Sequence, residues 1–135
     1  RVAAEPPRGT GVRTTALLLS NRFVTPSVVV RRGISERFRE GARYMEDHRL
    51  WLDMAYAGRT LLLVHLPLAT LHKPAFGASG QSAALLAMER AELGNYLWLW
   101  RAGRIGLRAL IALGVWAGAK LLRRVLLVSM RRVIR

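Results

Sequence analysis

Arg43-Tyr44-Met45-Glu46-Asp47-His48-Arg49-Leu50-Trp51-Leu52-Asp53-Met54-Ala55-Tyr56-Ala57-Gly58 is the stretch on which the reading of this chain turns. Leu50, Trp51, Met54 and Ala55 recur at helical spacing, with Arg49 and Asp53 on the other side. Gly58 follows as a C-terminal stop, so the pattern predicts an amphipathic helix over Asp47–Ala57. Glu46 and Asp47 then stand in its first turn, where the free N–H groups and the helix dipole suit negative charge. A carboxylate held there is a plausible general base. Taken alone, the position also fits a simple helix cap.

Working upstream, Asn21-Arg22-Phe23-Val24-Thr25-Pro26-Ser27-Val28-Val29-Val30-Arg31-Arg32 is β-branched around a proline and predicts an edge or irregular strand over 22–32. Phe38-Arg39-Glu40 lies in the connection that follows, with a short helical piece expected over 35–40. In this order, with Glu46-Asp47 and then Leu50-Trp51-Leu52, the segment 18–82 resembles the second half of a family 2 glycosyltransferase. The resemblance implies an α/β chain, a fragment of the GT-A (nucleotide-diphospho-sugar transferase) fold, that moves a sugar with inversion from a nucleotide-sugar to a hydroxyl acceptor. It implies that Asp47 deprotonates the acceptor and that Glu46, Trp51, Thr25 and Ser27 bind substrate. His72 and Lys73 fall where the family has a loop that closes over donor and acceptor. They would face the leaving diphosphate, although a solvated lysine and a strand-capping histidine account for them equally simply. His48-Arg49 replaces the aromatic and acidic residues more usual after the motif.

The donor side is a different matter. The chain has only two aspartates, Asp47 and Asp53, so the family's Asp-X-Asp motif is absent, as are strand–helix repeats that would cradle a nucleotide. A divalent metal (Mg or Mn) and the nucleotide-sugar are therefore implied for an intact enzyme and not for this chain. The expectation is a fragment: 1–81 as the acceptor-side half of a GT-A domain, and 82–135 as a helical membrane-associated extension, inactive on its own.

Charge supports the second assignment. The net charge is +14, all eight acidic residues lie at or before Glu92, and nine basic residues follow it without an acid. Such asymmetry selects an anionic partner. The basic residues are interleaved with Leu, Ile, Val and Trp, which suits an anionic membrane surface better than nucleic acid, and no nucleic-acid-binding motif is visible. Helices are expected from Ser82 to about Arg101, with Glu89 and Glu92 on the polar side, and from Leu107 to Val133, with a break at Gly103 and Gly106. Within the second, the longest uncharged run is Ala109–Ala119, eleven residues, where a membrane span needs about twenty. Trp98, Trp100 and Trp116 suit either the headgroup level or the core of a helical hairpin. The location implied is peripheral, at the cytoplasmic face of a bacterial inner membrane.

Residues 1–15 read as loop, and 60–66 as a buried strand closed by Pro67 with an extended piece over 68–71. The Gly/Ser-rich 75–82 reads as the main internal boundary. His65 reads as a core or edge histidine without a chemical role. No cysteine is present, which excludes disulfides and Cys-based zinc sites. No His-Glu-X-X-His or Gly-X-Ser-X-Gly spacing occurs, so metallohydrolase and serine-hydrolase readings have no support. The alternative function is a non-catalytic, basic amphipathic protein that binds a membrane surface or nucleic acid.

Overall fold

The computed structural model describes residues 9–66 and 81–133; His72, Lys73, the extended piece at 68–71 and nearly all of the 75–82 boundary lie outside them. The chain is mixed α/β and mostly helical, with β1 (Gly9–Gly11), α1 (Thr14–Leu19), α2 (Glu46–Tyr56), β2 (Leu62–Val64), α3 (Gln81–Arg101) and α4 (Leu107–Val133). These form two compact units, one holding β1, α1, α2 and β2, the other holding α3, α4 and the short segment Arg43–Met45.

In the first unit α2 is the centre. His48, Leu50, Trp51, Leu52 and Met54 are all buried, so the apolar arc is wider than a single stripe and needs cover on several sides. Leu17 of α1 covers one side, while Phe23 and Phe38 meet the Trp51 ring edge-on at centroid distances of 5.7 and 6.4 Å. Gly58, at φ +78°, ends the helix as expected. Its N–H reaches the Ala55 carbonyl and the Arg59 N–H reaches that of Met54, the paired bonds of a Schellman stop. The β1–β2 ladder is antiparallel, pairing Gly9 with Val64, Thr10 with Leu63 and Gly11 with Leu62.

Four local expectations fail here. The 22–32 segment forms no ladder among the described residues; Thr25–Ser27 is a 3-10 turn with Pro26 in its first turn, where a fixed φ and a missing N–H are tolerated. No helix forms over 35–40. The strand at 60–66 is shorter and more open than a buried strand, with Leu61 inside but Leu62 57% exposed. Residues 9–15, within the stretch read as loop, contribute β1 and the start of α1.

The second unit is a helical hairpin. α3 ends on Gly103 (φ +67°) with the same paired bonds, Gly103 N–H to the Trp100 carbonyl and Arg104 N–H to that of Leu99. Arg104 then lies over the Trp98 ring at 4.6 Å. The expectation that Glu89 and Glu92 face solvent is corrected: they are 5% and 2% exposed. Glu92 Oε1 accepts from Tyr96 Oη at 2.6 Å and pairs with Lys120 of α4. Both oxygens of Glu89 are buried without a hydrogen-bond partner among the described residues. Desolvation, then the neighbouring Glu92, raise its pKa against the opposing pull of Lys120 and Arg124. The Tyr96 hydroxyl is likewise pushed up, by burial and by Glu92.

Two stability measurements follow from this cluster. Lys120→Met leaves the Glu92 carboxylate buried beside a tyrosine and should cost the hairpin about 3–5 kcal/mol in urea unfolding. The double variant Glu92→Met/Lys120→Met should recover most of that loss. Because the folded hairpin holds the Glu89 proton more tightly than the unfolded chain does, this contribution is fully present below the ordinary carboxylate range and is lost as pH rises through the raised value. Glu89→Gln should therefore flatten the fall in melting temperature between acid and neutral pH and stabilise the hairpin at neutral pH.

Candidate functional site

Asp47 is the best-connected acid of the first unit. Its Oδ2 accepts from Asn21 Nδ2 at 3.0 Å and from Thr25 Oγ1 at 2.9 Å, and its Oδ1 accepts from the His48 N–H at 2.7 Å. The side chain therefore does more than close the helix end; it reaches back across 22 to 26 positions of sequence to the 21–25 segment. A carboxylate has about four acceptor positions, of which these donors fill three, leaving one on Oδ1 for a further donor. Asn21 is itself fixed, because its Oδ1 accepts the Phe23 N–H at 3.1 Å in an Asx turn. Its amide is thereby aimed at Asp47 before any ligand arrives.

The other candidates separate into two places. Thr25 stands with Asp47, and Glu46 is half-buried beside it as the first residue of α2. Ser27 and Trp51 instead line a cavity of about 470 Å³, whose walls also include Phe23, Met54 and β2. The Ser27 hydroxyl donates to the Val24 carbonyl at 2.8 Å, closing the 3-10 turn. Trp51 is nearly fully buried, and its Nε1 has no hydrogen-bond partner.

His48 carries a role that its place in the motif did not suggest. It is fully buried, and its Nε2 donates to the Leu17 carbonyl at 2.7 Å, joining the end of α1 to α2. The ring N–H satisfies a carbonyl near the end of a six-residue helix. A histidine amid apolar residues was the available signal, but its partner lies 31 positions away. His65 behaves as an edge residue, its Nε2 at 2.7 Å from Thr10 Oγ1.

Two aspartates cannot form Asp-X-Asp where they stand, and among the described residues no group of three or more His, Asp or Glu could hold an ion. Compared with known proteins, the chain matches no family model, no curated protein and no solved structure.

Asn21→Ala removes both the donor to Asp47 and the Asx turn that aims it. Since hydrogen bonds to charged groups are worth about 1.5–3 kcal/mol, this variant should lower the stability of the first unit by about that amount, measured by chemical unfolding followed through Trp51 emission.

Proposed function

We propose that this chain is the acceptor-side part of an inverting glycosyltransferase of the family 2 type, with Asp47 as the base. The observation that carries the reading is the carboxylate pre-positioned by Asn21 and Thr25 with one acceptor position still open. In the transfer, Asp47 takes the proton of the acceptor hydroxyl as its oxygen bonds to the anomeric carbon. The bond from that carbon to the donor diphosphate breaks, and the diphosphate leaves with the electron pair. Thr25 and Asn21 hold the base in place, and Glu46 lies next to it for orienting the acceptor. Glu46, Trp51, Thr25, Ser27, His72 and Lys73 are assigned to substrate binding by the resemblance. Donor binding, with any divalent metal, belongs to other polypeptide sequence.

The purified chain should show no turnover of labelled nucleotide-sugars. In an enzyme containing this segment, Asp47→Asn should lower kcat by about two to four orders of magnitude with donor affinity little changed. Near-normal turnover, with the fold intact by circular dichroism, would reduce Asp47 to a structural tether.

A second assignment, to an anionic membrane surface, has its own support in α4. Leu113 and Ala117 are buried, while Leu107, Ile111, Val115, Leu122 and Leu126 are exposed and fall along the opposite side. Arg108 and Arg123 lie exposed beside that stripe, and Trp100 and Trp116 are exposed as well. Among the described residues, no helix is long and apolar enough to cross a membrane. An amphipathic helix of this kind lies in the interface plane with its apolar side down. The chain should sediment with anionic phosphatidylglycerol vesicles and much less with neutral phosphatidylcholine vesicles. Salt should release it in part, as the screening length shortens from about 10 Å at 0.1 M to about 3 Å at 1 M. Equal binding to both vesicle types, or tight binding to duplex DNA with no vesicle binding, would favour the alternative partners.

A further inference from the structure

The 28–31 segment presents a conflict between local preference and what the fold gives it. Val28-Val29-Val30 is as strong a strand-former as the sequence contains, and Val28 is extended at φ −92° and ψ 131°. Yet beyond the Val28 N–H, which turns back to the Thr25 carbonyl, Val29, Val30 and Arg31 make no backbone hydrogen bond among the described residues. Val29 is 95% exposed.

β2 has the same deficit on one side. Val12 N–H donates to the Leu61 carbonyl, which makes Leu61 a hydrogen-bonded position; alternation makes Leu63 the next. The N–H and C=O groups of Leu62 and Val64 therefore point away from β1, where no strand stands among the described residues. Both incomplete edges line one cavity, together with the indole of Trp51. Two arginines, Arg22 and Arg31, also line it, and neither forms an ion pair among the described residues.

We propose that this cavity is a strand-addition site: an extended polypeptide segment with β-branched, uncharged residues in its centre and acidic residues at its ends pairs with the open edge of β2 and is covered by Val28–Val30. Main-chain bonds give such a docking its affinity, apolar pockets its preference for β-branched side chains, and the two arginines its preference for acidic flanks. An apolar small molecule would fill the volume but leave the amides of Leu62 and Val64 as they are. The site does not depend on the transfer chemistry, and its failure would leave the assignment of Asp47 untouched.

The test uses the whole chain, isotopically labelled, and the acetylated, amidated heptapeptide Asp-Val-Thr-Val-Ile-Val-Asp as probe. At millimolar probe, amide exchange at Leu62 and Val64 should slow by about tenfold or more, while Leu63, already bonded to β1, changes little. The same peptide N-methylated at alternate residues should give no protection, and Arg22→Glu/Arg31→Glu should weaken binding of the parent peptide. All these substituted side chains are exposed, so folding is preserved. Absence of protection at Leu62 and Val64, equal protection by the N-methylated peptide, or equal protection by dodecyl phosphate would each overturn the proposal.

Discussion

Three consecutive buried side chains, Leu50-Trp51-Leu52, impose the constraint around which the first unit is arranged. Successive residues of a helix point about 100° apart, so burying all three requires cover over most of the helix circumference. The β1–β2 ribbon has three residues per strand and α1 has six, too little to do this alone. The irregular 21–38 segment must therefore wrap the helix, with Phe23 and Phe38 against Trp51. Once it does, Asn21 and Thr25 lie beside the start of α2, and Asp47 is their counterpart. The geometry of the candidate base is thus a product of core packing around the tryptophan.

The turn that leads into α2 carries strain of its own. Tyr44 and Met45 are both left-handed, at φ +69° and +53°, a conformation that costs residues other than glycine about 1–3 kcal/mol each. Within the second unit, Asn95 Nδ2 donates to the Met45 carbonyl at 3.2 Å and holds the end of that turn. A buried amide is used there to fix backbone that local preference would not choose.

What could be read from the residues follows a physical divide. The three longer helices have enough turns for a period to show, and Gly58 and Gly103 mark two of their ends because glycine takes a positive φ without steric cost. The resemblance names Thr25 and Asp47 for separate roles and says nothing of the hydrogen bond between them, since no spacing within one element brings those positions together. β1 is Gly9-Thr10-Gly11, with no intrinsic strand preference, and exists because β2 offers it a ladder. The run at 28–30 has the preference and lacks the ladder. Glu89 and Glu92 read as the polar side of α3 from the periodic pattern. The cation that makes Glu92 tolerable inside sits 28 positions downstream on another helix. His48 was obscured for the same reason, its partner being a carbonyl on another helix.

The Lys120–Glu92 pair also governs how the hairpin can move. Turning α4 about its axis by one residue's angle would carry the ammonium about 100° away and leave both charges without a partner beside an apolar seam. The pair therefore fixes which face of α4 is turned toward α3.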